Sequence, residues 1–230
     1  MLKGLILKDI YSVRFQIFAA FLLMLLPNIM LMMAGGGMAV TEDSFLSAEE
    51  MNLIRAMIYG IVNYTTITVY SSFLLNTLED DTRSGWMKMQ RTMPVSGTQI
   101  IGGKILATLM IIGLLTGVSL IFNILAALLF DISLELMIAL PLCCGLLQII
   151  TLCPVFPISM KIGTKYTTAL YVSLVILFAI AMGVLLISTL ASDISESNLR
   201  ICMYGALPVL AGAALAISFA AGKKSCETDI

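Results

Sequence analysis

Histidine is absent from this 230-residue chain, and only 12% of its residues carry charge. Without histidine there is no Ser-His protease pair, no His-ligated metal and no haem or quinone site built on imidazole. No Asp or Glu interrupts any of the long apolar runs, which removes an intramembrane aspartyl protease. It also leaves a proton- or sodium-coupled carrier only the broken-helix kind of ion site. No GxxxxGK[ST] occurs, so ATP cannot be held through a P-loop, and any pumping would draw its energy from another polypeptide. Cys143, Cys144, Cys153 and Cys202 lie in or beside apolar runs and Cys226 in the tail. With no outward-facing pair and no CxxC, they read as small apolar packing residues rather than disulfides or zinc ligands.

What the chain does have is six charge-free stretches: 15–41, 56–78, 105–130, 136–160, 166–192 and 201–222, each 22 to 27 residues long. A helix needs about 20 apolar residues to cross the hydrocarbon, and one charge at its centre costs about 2.5 to 3.5 kcal/mol on insertion scales. The reading is a single all-α polytopic membrane domain over 1–230 with six transmembrane helices. Hydrophobic residues at 60% agree, and the longest polar connections, 42–55 and 79–104, are too short to fold alone.

Net charge is −1, yet the cations are distributed unevenly. With the N-terminus inside, eleven of the thirteen face the cytosol: Lys3, Lys8, Arg14, Arg83, Lys88, Arg91, Lys104, Lys161, Lys165, Lys223 and Lys224. Arg55 and Arg200 remain outside. The positive-inside rule therefore places both termini in the cytoplasm. The outer loops are acidic, through Glu42, Asp43, Glu49, Glu50, Asp131, Glu135, Asp193 and Glu196. That surface would draw in a cation, and a solvated outer face explains the same charges.

Residues 1–14 read as a separate helix on the cytoplasmic membrane surface, because Leu2, Leu5, Ile6, Ile10 and Val13 share one side. The apolar run that follows is too long for a signal-peptide h-region. Asp9 projects close to the apolar side and is read as a solvated charge paired with a neighbouring lysine. In the loop 79–104, an acidic run from Glu79 to Asp81 precedes a short helix from about Ser84 to Met93, with Ser84 as N-cap and Pro94 as stop. Trp86, Met89 and Met93 share one side, with Trp86 as an interfacial anchor.

These segments resemble the permease subunits of type-two ABC transporters, especially the compact bacterial ones made only of the six-span domain. The resemblance lies in the opening MLKGLILKDIY and in RSGWMKMQRTMPVSGTQIIGGK, similar to the family's Ser-Gly-Trp, Leu-Pro-Val-Ser and Lys pattern. Met93 stands where that pattern has Leu. It implies an exporter half in the bacterial plasma membrane, with no catalytic residue, metal or cofactor of its own. ATP and magnesium would be held by a cytosolic ABC ATPase partner, and a second permease copy or paralogue would sit beside it. The loop helix would be the coupling helix, carried by Ser84, Gly85, Trp86, Lys88, Arg91, Pro94, Val95 and Ser96. Lys161 to Lys165 would add a smaller contact. The compact form resembles exporters of amphipathic or antimicrobial peptides.

Inside the spans the informative residues are polar and neutral. Tyr59, Asn63, Thr66, Tyr70 and Thr77 fall on one arc of the second span, a stripe that must face protein or water. Two roles are open to it: helix-joining hydrogen bonds, and the lining of a translocation path by Tyr59, Asn63, Thr66 and Tyr70. Asn28, Asn123 and Gln148 stand alone and read as packing residues. Gly113 with Gly117, and Gly212 with Ala216 and Ala220, suggest close helix contacts, and Pro141, Pro154 and Pro157 suggest a bent fourth span. The alternatives to an ATP-driven permease are a secondary transporter, for which the halves show no internal repeat, and a membrane scaffold or immunity protein, which would need no coupling loop.

Overall fold

The computed structural model describes residues 2–37, 48–86, 96–162, 166, 168–177 and 205–228. Every element among them is helical: α1 (Leu2–Ser12), α2 (Arg14–Gly37), α3 (Ala48–Arg83), α4 (Gly97–Phe130), α5 (Leu134–Leu152), α6 (Val155–Ile162), α7 (Thr168–Leu177) and α8 (Leu207–Thr228). Among the described residues three segments are long and apolar enough to cross a membrane: Gly97–Phe130, Leu134–Ser159 and Leu207–Lys224. A fourth joins them if α1 and α2, bent by 52° at the break after Ser12, count as one. At 36 residues α3 has the length, but its tyrosines, threonines, serines and asparagine dilute its apolar character. Most of the 166–192 stretch lies outside the described residues.

Local chemistry sets the helix ends. Ser96 begins α4 with a capping box, its hydroxyl accepting from the Gln99 N–H while the Gln99 side chain accepts from the Ser96 N–H. At the other end of α4, Asp131 takes the left-handed conformation (φ 56°) and its N–H bonds Ala127 O. Three residues later α5 begins, so α4 and α5 form a tight antiparallel hairpin. Pro141 sits inside α5, and the chain breaks at Cys153–Pro154 before resuming in α6. The helix is interrupted by a two-residue turn at Cys153–Pro154, yet Leu134–Ser159 still runs as one span.

The main core joins Met24 of α2, Ile67, Leu75 and Leu78 of α3, Ile111, Ile112 and Leu115 of α4, Cys144 of α5, Phe156 of α6 and Tyr171 of α7. A smaller cluster around Tyr59, Ala126, Ala127, Ile132 and Met137 closes the far end of the hairpin. Cys143, Cys144 and Cys153 are buried free thiols within this packing. The closest helix approaches fall at Gly145, where an added Cβ would meet Thr116 Oγ1 at 2.6 Å, and at Gly222 against Ile101. No described residue comes within 4 Å of a Cβ placed on Gly113, Gly117 or Gly212, the positions the small-residue spacing singles out.

The inner face of α1 is turned toward protein. Val13 is buried in the core, and Leu5 approaches the backbone of α4, its Cβ 3.4 Å from where a Gly103 Cβ would stand. The side exposed in the chain carries Leu7 and Tyr11 and continues into Phe15 and Phe18 of α2. The apolar side expected to meet lipid instead covers α4.

Candidate coupling site

Four charges meet where α1, the end of α3 and the start of α4 come together. Lys104 Nζ donates to Asp81 Oδ2 at 2.8 Å and stands 3.5 Å from Asp9 Oδ2. Lys8 Nζ donates to Asp81 Oδ1 and stands 3.5 Å from Asp9 Oδ1. Asp81 and Lys104 are each only 4% exposed, and Asp9 is buried beside them. Two cations and two carboxylates make the set neutral, the condition under which such burial is tolerated. Asp9 is therefore not a solvated charge. It keeps the neighbouring Lys8 and gains Lys104, because its place on the inner side of α1 turns it toward α4 rather than water.

The same lysine reaches the loop. Lys8 Nζ lies 5.0 Å from the centre of the Trp86 ring, within the range of a cation–π contact. Trp86 is half-buried, and its indole N–H has no hydrogen-bond partner among the described residues.

Two residues before it, Ser84 does not cap a new helix. Its N–H and its hydroxyl both donate back to Asp80 O, at 2.9 and 2.7 Å, so it closes α3. Gly85 then takes φ +71°, the left-handed position that ends a helix and that side chains resist. A glycine directly after Arg83 and Ser84 is a readable stop signal for α3, and Trp86 just beyond it is helical. Lys88, Arg91, Pro94 and Val95, with most of the expected 84–93 helix, lie outside the described residues, as does Lys165. The chain resumes at Ser96, whose hydroxyl is committed to capping α4.

The stripe on α3 is enclosed by the chain's own helices. Asn63 and Asn123 are fully buried, and Asn63 Nδ2 donates to Asn123 Oδ1 at 2.7 Å. Asn123 Nδ2 donates in turn to Met137 O at 3.0 Å. Pro141 explains why that carbonyl is available. Proline lacks the N–H that would bond back four residues to Met137, and the Asn123 amide from the facing helix takes its place. A second junction joins three helices around Gln148, which donates from Nε2 to Thr68 Oγ1 while Tyr171 OH donates to Gln148 Oε1 at 3.1 Å. Tyr59 and Thr77 are buried, Thr66 bonds Val62 O in its own helix, and the Tyr70 side chain lies outside the described residues. Asn28 likewise bonds its own helix, at Met24 O.

The structure thus brings Asn63 together with Asn123, residues read separately from sequence. It also assembles a charge set from Lys8, Asp9, Asp81 and Lys104 that sequence reasoning missed. The available signal was Asp9 itself, a charge on the apolar side of an amphipathic helix. A family model described as ABC-2 family transporter protein matches residues 4–224. No curated protein and no solved structure matches the chain.

Proposed function

The chain belongs to the ABC-2 family of transporter proteins, and on that premise we propose that it is the membrane half of an ATP-driven exporter. It spans the bacterial plasma membrane six times with both termini cytosolic. A separate ABC ATPase docks on the 79–104 segment, and a second permease copy or paralogue completes the pore. The observation that carries this reading is the build of that segment. A 36-residue helix stops at Ser84–Gly85 and presents Trp86 beside a neutral charge set that ties it to α1 and α4. A segment whose described flanks, at Asp81 and Lys104, are tied across three helices can pass force from a cytosolic partner into the bundle, whereas a scaffold would have no need of it. Amphipathic or antimicrobial peptides are the proposed cargo.

The direct test is co-purification with a cytosolic ABC ATPase. The chain alone should turn over no ATP, and the complex should. Replacing Trp86 or Gly85 should uncouple hydrolysis from export while leaving insertion intact; full export by such variants would refute the docking site. Topology is checked separately with an impermeant thiol reagent applied from outside. A cysteine at Ser47 should react and one at Thr98 should not.

Tyr59, Asn63, Thr66 and Tyr70 form the proposed path wall, which requires the helices that enclose Tyr59, Asn63 and Thr66 in the single chain to part toward the second permease during transport. Thr66 is the informative position, because its hydroxyl bonds within its own helix, to Val62 O. A cysteine there should change reactivity between nucleotide states. Constant protection in every state, with unchanged export by a bulky variant, would move the path elsewhere.

A further inference from the structure

The N-terminal helix bears on this loop in a way the docking reading alone does not require. We propose that Lys8 and Asp9 are positioning residues for the coupling segment. With Asp81 and Lys104 they hold α1, the end of α3 and the start of α4 as one body, and Lys8 transmits the placement of that body to Trp86. The inference rests on the reading of 79–104 as the docking segment.

Three observations carry it. First, Lys8 has two roles at once, since its ammonium bonds Asp81 and lies 5.0 Å from the centre of the Trp86 ring. Moving α1 away would therefore release the indole and expose a buried carboxylate together. Second, the charges are interlocked. Each carboxylate is approached by both lysines, so moving either lysine away leaves two buried carboxylates to share one cation. Third, the joint is tight as well as charged: Gly103 of α4 admits Leu5 of α1 with no room for more than a Cβ between them. A neutral, closely packed joint of three helices favours motion as a unit over opening at each cycle.

Trp86 is the only tryptophan, so the fluorescence of the purified full-length chain in nanodiscs reports on this position without partner or substrate. The Lys8 side chain is 33% exposed, which makes it the member that can be changed with least risk to folding. Lys8→Gln should shift Trp86 emission to the red and raise its acrylamide quenching severalfold, while Lys8→Arg should keep the wild-type spectrum. A folded Lys8→Gln variant with unchanged emission and quenching would overturn the proposal and leave the permease reading untouched. Altered Trp86 shielding with normal retention of the ATPase and normal ATP turnover would support the positioning and count against docking at this loop.

The single-body part has its own test. A Cβ at position 103 would lie 3.4 Å from the Leu5 Cβ, close to the roughly 3.5–4.5 Å of a disulfide. Leu5→Cys with Gly103→Cys, in a background with the five native cysteines replaced by alanine, should cross-link and leave the partner's ATP turnover intact. A cross-link that forms and abolishes turnover, or a pair that never forms in a folded chain, would show that α1 separates from α4 and would overturn the single-body assignment.

Discussion

The cytosolic end of α3 and its middle solve one problem with different chemistry. At Asp81 the helix is tied to α1 and α4 by full charges; at Asn63 and Thr68 it is tied to α4, α5 and α7 by neutral amides and hydroxyls. The difference follows from what each depth tolerates. An ion at the centre of a span is costly to insert, whereas an amide leaves only one or two hydrogen bonds to satisfy. Charges also bind more strongly and fail more abruptly. The charged joint holds the end of α3 that leads to Trp86, and the neutral ones can be remade with little loss. A third kind of contact sets the lower limit. The Glu79–Arg83 pair, 2.6 Å apart on the exposed side of α3, is an i,i+4 surface bridge that contributes about 0.3–0.5 kcal/mol.

The contrast can be broken most sharply at Lys104. Lys104→Met leaves Asp9 and Asp81 to share Lys8 and should destabilise by about 3–5 kcal/mol, seen as a collapse of folded protein in the membrane. Adding Asp9→Asn restores neutrality around the Lys8–Asp81 pair and should recover most of the abundance. If the double variant is as poor as the single one, charge balance is not what holds this end.

Next in size is a purely steric perturbation of the middle. Gly145→Val places new atoms on Thr116 between α4 and α5 and should cost about 1–3 kcal/mol, read as a lower inactivation midpoint in detergent. Tolerance without a shift would mean that the two helices are not closely seated there.

Removing a neutral junction should cost less again. Gln148→Leu fills the same space, leaves Tyr171 its bond to Thr68 O, and removes two bonds: the Thr68 link between α3 and α5 and the shared Tyr171 contact to Gln148 Oε1. The expected loss is about 0.6 kcal/mol and not above about 1.7, the range measured for hydrogen bonds between membrane helices. A loss as large as that of Lys104→Met would erase the distinction between charged and neutral joints.

Much of this architecture was legible in the sequence. The 105–130 stretch ends with α4 at Phe130, where Asp131 follows, but α4 begins eight residues earlier, at Gly97, and holds Lys104 buried within it; the 136–160 stretch falls inside α5 continued into α6, between Glu135 and Lys161. Periodicity also put Asn63 on one face with Tyr59. It could not choose that face's neighbour, which depends on how the α4–α5 hairpin lies against α3. The charge set was hidden for the same reason: Asp9 and Lys104 are far apart in sequence, and no local rule joins them. Ser84 misled because a serine after an acidic run suits a helix start, while Gly85 in the left-handed region marks the end of the helix before it.

The smallest effect tests the most specific link. Pro141 leaves Met137 O without its intrahelical donor, and Asn123 supplies one from the facing helix while holding Asn63. If that is why the asparagine is there, its worth depends on the proline. Pro141→Ala would return an N–H to α5 and satisfy Met137 O from within. Asn123→Leu should then cost less in the alanine background than in the native one, by a coupling of about 0.6 kcal/mol in a double-mutant cycle on the inactivation midpoint. Equal costs in both backgrounds would mean that Asn123 serves Asn63 alone, with the Met137 contact incidental. A larger cost beside alanine would mean that the proline's bend, rather than its missing donor, brings the two helices into register.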